Sequence, residues 1–191
     1  MTNTSIDHEL VVRIQKGDKK AFDILVRKYQ HKIVNAISRF VKDHSEVMDV
    51  AQDAFIKAYK ALPEFRGESA FYTWLYRIAI NTAKNYLTAK KRRPPDTDID
   101  SSEAENYSLG DSLRDNSNPE RLLIREQLKT LVDKTINSLP EELRAAICLR
   151  ELEGMSYEEI SHVMDCPVGT VRSRIFRARS AIDEAIQPLL H

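Results

Sequence analysis

Apolar residues recur along the chain at the three- and four-residue spacing of helices, and no run alternates apolar and polar positions as a half-buried strand would. The pattern predicts an all-α protein. Between Ser45 and Leu62, a wheel of about 100° per residue gathers Val47, Met48, Ala51, Ala54, Phe55, Ala58, Tyr59 and Leu62 on one broad, core-facing side. The other side carries Asp49, Gln52, Asp53 and Lys60 around Ile56, an aliphatic residue that the same wheel leaves in water. That side reads either as a solvated face with one stray apolar residue or as a docking patch for a partner.

The next helix, Phe71 to Leu87, is apolar or aromatic around most of its circumference, so it must be largely buried. One polar stripe interrupts it: Arg77, Asn81 and Lys84, with Trp74 and Asn85 at the margins. A short glycine-containing loop, Phe65-Arg66-Gly67-Glu68-Ser69-Ala70, precedes it, and the run Lys90-Lys91-Arg92-Arg93 follows. Aromatics interleaved with cations and amides suit single-stranded nucleic acid, because bases stack on rings while cations track phosphates. Composition alone does not separate that role from a core role for Phe71 and Trp74.

In the second half, Leu128, Leu131, Val132, Thr135 and Leu139 predict an amphipathic helix that Pro140 ends; a second helix runs from Glu141 to Glu153, where Gly154 stops it. Ser156-Tyr157-Glu158-Glu159 has the spacing of a capping box and opens a short helix to Met164. The turn Asp165-Cys166-Pro167 leads into a long helix beginning at Pro167 or Val168. Two helices joined by a three-residue turn predict a helix-turn-helix, whose second helix enters the DNA major groove. Val171, Ile175, Ala178 and Ile182 form its inward stripe against Ile160. Gly169, Ser173 and Phe176, flanked by Arg172 and Arg177, form the outward face, while Arg174 and Arg179 lie nearer the core boundary. Arginine can fork onto guanine, Phe176 can meet a thymine methyl, and Thr170 with the early backbone amides can hold phosphates.

Net charge is zero, with 29 basic and 29 acidic residues, but its distribution is uneven. Residues 65–93 hold seven basic side chains against Glu68 alone, whereas residues 94–118 hold seven acidic ones against Arg114. The acidic stretch, rich in Ser, Asp, Glu and Asn, predicts a flexible linker between two small helical domains at 1–93 and 119–191. The two cysteines, Cys148 and Cys166, suit no disulfide framework or zinc ribbon, and the N-terminal residues lack the pattern of a signal peptide.

Three segments resemble those of bacterial extracytoplasmic-function (ECF) sigma factors, and within that group the envelope-stress sigma-E proteins. They are DVAQDAFIKAYKAL (49–62), FRGESAFYTWLYRIAINTAKNYL (65–87) and SYEEISHVMDCPVGTVRSRIFRAR (156–179). The resemblance implies that 1–93 is sigma region 2 and 119–191 is sigma region 4. It implies that Asp49, Gln52, Asp53 and Ile56 bind the clamp helices of the largest subunit of core RNA polymerase, and that region 4 meets the flap of the second-largest subunit. Phe65, Arg66, Ser69, Ala70, Phe71, Trp74, Arg77, Asn81, Lys84 and Asn85 would then melt and capture the minus-ten strand. Pro167, Gly169, Thr170, Arg172, Ser173, Phe176 and Arg177 would read minus-thirty-five duplex DNA. The acidic linker would thread toward the polymerase active-site and RNA-exit channels. The partners implied are core polymerase, promoter DNA in duplex and single-stranded form, and a membrane-anchored anti-sigma factor. No cofactor, metal, catalytic residue or small-molecule substrate is expected, and the expected place is the cytoplasm, reaching the inner membrane only through the anti-sigma factor.

Two other classes compete. A DNA-binding regulator would share the helix-turn-helix but should carry a ligand pocket or phosphoacceptor in its first half. A nucleic-acid enzyme should pair its histidines or place a nucleophile, and His8, His31, His44, His162 and His191 show no HExxH or zinc-ligand spacing.

Overall fold

The computed structural model describes residues 3–92 and 119–189. Among them the chain is helical with no strand: α1 (Asn3–Gln15), α2 (Lys19–Ser38), α3 (His44–Ala61), a 3-10 turn (Leu62–Glu64), α4 (Phe71–Arg92), α5 (Pro119–Ser138), α6 (Glu141–Glu151), α7 (Tyr157–Met164), α8 (Val168–Ile186) and a closing 3-10 turn (Gln187–Leu189). The expected linker at 94–118 lies outside the described residues.

α1 and α2 form a hairpin whose corner is set by local chemistry. Gly17 takes a positive φ of 97°, and the Asp18 carboxylate caps α2 by accepting from the amides of Lys20 and Ala21 at 3.0 and 3.3 Å. The Arg13 guanidinium bonded to Asp18 at 2.7 Å holds that carboxyl below the usual range. Ala21, Leu25, Tyr29, Ile33 and Ile37, spaced four apart, bury one side of α2. The one buried carboxylate beside them, Asp7, is satisfied by the Tyr29 hydroxyl and the Lys28 ammonium.

α3 departs from its wheel. Its buried arc is Val47, Val50, Ala51, Ala54 and Ala58, whereas Met48 and Tyr59, expected in the core, are 47% and 38% exposed. Alanines line the centre of the arc, so the neighbouring helices approach closely and the large residues on its shoulders are left outside; the Tyr59 ring packs instead on Phe22 at 4.9 Å. α4 runs five residues beyond the expected Leu87, taking Lys90, Lys91 and Arg92 into its last turn. Cations there complement the helix dipole, and Lys90 pairs with Glu46 at 2.5 Å.

The second half packs α6 and α5 on α8, with α7 closing one side. Its core includes Ala146, Leu149, Met155, Ile160, Val163, Val171, Ile175 and Ala178; Ile182, expected on the inward stripe, is half-buried. The capping box forms: Ser156 Oγ accepts from the Glu159 amide at 3.1 Å and Glu159 Oε2 from the Ser156 amide at 2.9 Å. Asp165, at φ 51° and ψ 52°, ends α7 in the left-handed region and turns the chain into α8. Burial pushes the Cys148 thiol up to about 11, so it is a protonated packing group at neutral pH. Ser156→Ala is expected to cost about 1 kcal/mol of unfolding free energy through loss of the cap, measured by denaturant titration; an unchanged midpoint would show the box contributes nothing.

The two halves are in contact. α4 packs along α7, and polar bonds cross the seam: the Tyr72 hydroxyl to Glu159, the Tyr76 hydroxyl to Glu153, Arg77 to Asp165 at 3.3 Å, Lys84 to Glu142 at 3.5 Å, and Arg39 to Asp133 at 3.8 Å. Burial, and then the Glu153 carboxylate, raise the Tyr76 phenol well above its ordinary value, keeping it a donor.

Candidate nucleic-acid interface

The loop between α3 and α4 and the first turns of α4 enclose a cavity of about 320 Å³ lined by Glu64, Phe65, Arg66, Glu68, Ser69, Thr73, Trp74, Arg77 and, from α7, His162. Tilted aromatic rings form part of its wall and back it from the core. Phe65 lies 4.8 Å from Trp74, Trp74 lies 5.7 Å from Phe71, and Phe71 rests on Tyr29 at 5.8 Å. Phe71 is only 4% exposed, so it braces the other rings from the core side and presents no face to a base. Phe65 and Trp74 are half-buried and keep part of their surface outward.

Thr73, which the sequence did not single out, is 1% exposed, and its hydroxyl oxygen has no hydrogen-bond partner among the described residues although it borders the cavity. An unpaired buried hydroxyl costs roughly 1–3 kcal/mol. Arg66 and Arg77 supply positive charge at the same cavity, and Asn81 and Asn85 are exposed farther along α4, while Ser69 and Ala70 are half-buried in the loop. The stripe Arg77, Asn81, Lys84 therefore exists on one side of α4, but Arg77 and Lys84 are met by Asp165 and Glu142 of the second half.

On α3, Asp49, Gln52, Asp53 and Ile56 all stand exposed, with Ile56 at 46%. Lys57 pairs with Asp53 at 2.7 Å one turn away. The fold makes no use of Ile56, an aliphatic side chain held in water among charges.

In the second half, no side chain caps the N-terminus of α8, and Pro167 starts it with φ −58°. A Cβ on Gly169 would meet nothing within 4 Å, so a large flat object can approach the first turn. Arg172, Ser173, Phe176 and Arg177 are exposed, Phe176 by 71%, while Thr170 is half-buried. Arg172 leans over the Tyr157 ring at 5.9 Å and the Ser173 hydroxyl donates to the Thr170 carbonyl at 2.9 Å. Arg174 and Arg179 are turned to other work: Arg174 pairs with Glu142 and donates to Cys166 Sγ at 3.2 Å, and Arg179 holds Glu151 at 2.6 Å. An exposed phenyl ring between exposed guanidiniums on an open helix face is the donor and apolar set that base edges in a major groove require.

Two family models match the chain: Sigma-70 region 2 over residues 25–93, and Sigma-70, region 4 over residues 129–182. Over 190 residues, all of this chain and 99% of the relative, the sequence is 62% identical to the ECF RNA polymerase sigma-E factor of Escherichia coli strain K12. The chain belongs to the ECF sigma factors. This sigma factor is also 62% identical over 184 residues to the RNA polymerase sigma-H factor of Pseudomonas aeruginosa, covering 96% of this chain and 95% of the relative. Its fold matches CnrH, solved in complex with the cytosolic domain of CnrY, with a TM-score of 0.68 at 25% identity, covering 96% of this chain and 98% of CnrH. The sigma factor RpoE, solved with the anti-sigma factor NepR from Bartonella quintana, has the same fold at a TM-score of 0.63 and 24% identity, covering 88% and 98%. Among the described residues no group of His, Cys, Asp and Glu could hold a metal, and no helix is long and apolar enough to cross a membrane.

Proposed function

We propose that this sigma factor assembles with core RNA polymerase through the α3 patch, reads duplex DNA at the minus-thirty-five element with the α8 face, and captures a flipped minus-ten base in the loop cavity. Residues 1–93 then act as region 2, 119–191 as region 4, and 94–118 as the spacer. One observation carries the reading: a cavity lined by Phe65, Trp74, Arg66 and Arg77 and an open, arginine-flanked helix face occur on one chain. Stacking of roughly 1–3 kcal/mol per base offsets the few kcal/mol of unstacking, so opening proceeds on binding energy and the protein performs no catalysis of its own.

Because Arg77 and Lys84 are engaged by region 4, the contact between the halves describes a resting form that separates when both interfaces load. CnrH is bound in its structure by a cytosolic protein domain, and an anti-sigma factor anchored in the inner membrane holds this protein too until envelope stress releases it into the cytoplasm.

The division of labour is testable on holoenzyme. Arg177→Ala should weaken duplex promoter binding about tenfold, equivalent to roughly 1–2 kcal/mol of lost base and phosphate contact, with opening of the bound fraction retained. Asn81→Ala should leave duplex binding near wild type and lower permanganate reactivity at the minus-ten element. Equal loss of both steps in both variants would contradict the assignment.

A further inference from the structure

α1 lies ahead of residue 25, where the region 2 match begins, and the end of this helix reaches the nucleic-acid loop. Gln15, its last residue, donates both amide hydrogens of Nε2 to main-chain carbonyls far along the chain: Leu62 at 3.1 Å and Phe65 at 2.9 Å. A side-chain amide offers two donors in a fixed plane, matched here to two acceptors. Those carbonyls bracket the 3-10 turn through which the chain leaves α3 and enters the loop. The Gln15 corner is itself pinned, since the Gly17 amide bonds the Ile14 carbonyl at 2.8 Å, the Asp18 amide bonds the Arg13 carbonyl at 3.0 Å, and Arg13 grips Asp18.

We infer that Gln15 is a positioning residue for minus-ten capture: its amide fixes the exit angle of the loop and so holds the Phe65 ring on Trp74, keeping the cavity open before a base arrives. This inference rests on the reading of that cavity as the base-capture site. Two bonds on the carbonyls at either end of the turn remove freedom that binding would otherwise have to remove, which is how preorganisation raises affinity. No other residue of the first hairpin is bonded across to both ends of the turn among the described residues.

Trp74 is the chain's one tryptophan, so its emission in the free, full-length protein reports the loop directly. Gln15→Glu sets a carboxylate that cannot donate against two carbonyl oxygens, whereas Gln15→Lys keeps a donor. In Gln15→Glu the emission of Trp74 should shift, and holoenzyme affinity for a fluorescent non-template minus-ten single strand should fall about fivefold. Duplex minus-thirty-five binding should stay at wild-type strength, and Gln15→Lys should recover most of the loss. Wild-type emission and single-strand affinity in Gln15→Glu would overturn the inference, as would a parallel drop in duplex binding with a collapsed melting temperature. Failure of the unsubstituted holoenzyme to hold the single strand would instead count against the cavity reading, and the Trp74 emission of the two variants would still decide whether Gln15 sets the loop.

Discussion

Ile56→Glu is expected to weaken binding to core RNA polymerase about a hundredfold while leaving the melting temperature of the free protein almost unchanged. Ile56 is 46% exposed and surrounded by Asp49, Gln52 and Asp53, so the fold gains little by keeping an aliphatic residue there. In an interface it would be an apolar anchor ringed by charges, the arrangement in which single residues carry about 2–4 kcal/mol, and a glutamate would also bury an unpaired charge. A loss of about 3 kcal/mol corresponds to the hundredfold. Titration of fluorescently labelled protein with core polymerase measures it. Wild-type affinity would return the α3 face to the status of ordinary solvated surface.

Glu142→Lys combined with Asp165→Lys is expected to open the free protein and raise its affinity for a minus-ten single strand about thirtyfold. Asp165 meets Arg77 at 3.3 Å, and Glu142 meets Lys84 at 3.5 Å while also pairing with Arg174. Under the proposed capture of a single strand on α4, these carboxylates compete with its phosphates for Arg77 and Lys84. Each exposed pair is worth up to about 1 kcal/mol, and reversing one partner replaces attraction by repulsion, giving about 2 kcal/mol for the two together. The Tyr72–Glu159 and Tyr76–Glu153 bonds also cross the seam and are untouched, so the equilibrium shifts toward the open form without being driven to completion. A resonance-energy-transfer pair across the seam separates opening from mere attraction of DNA to added lysines. Unchanged transfer would show that these pairs do not hold the closed form.

Local structure was legible where helix periodicity and end signals agree. Ser156 and Glu159 announced α7, Pro140 marked the start of α6, which ends at Glu151, two residues before the end expected from Gly154, and Val171, Ile175 and Ala178 named the buried side of α8, leaving Phe176 and Arg177 outside. Ile56 was left in water by its wheel for the same reason. α1 and α2 went unread, although Asp18 and the four-residue spacing from Ala21 to Ile37 carry an equally plain signal. Met48 and Tyr59 were misplaced because a wheel gives direction and not distance: alanines let the helices approach until only a narrow arc of α3 is covered. Other features depend on chain segments meeting in space. The bonds from Gln15 span 47 and 50 residues, and His162 joins the loop cavity from α7. The seam between α4 and α7 is of the same kind, since pairs such as Tyr72 and Glu159 leave no trace in either helix's own pattern.

The most direct test of promoter-directing function is transcription in vitro from a promoter library with purified core RNA polymerase, with and without this protein. Start sites are expected that appear only in its presence and share two upstream motifs separated by about one and a half to two helical turns, the spacing that would let α8 and the loop cavity engage one promoter together. Binding to duplex DNA with no protein-dependent start sites would contradict that function.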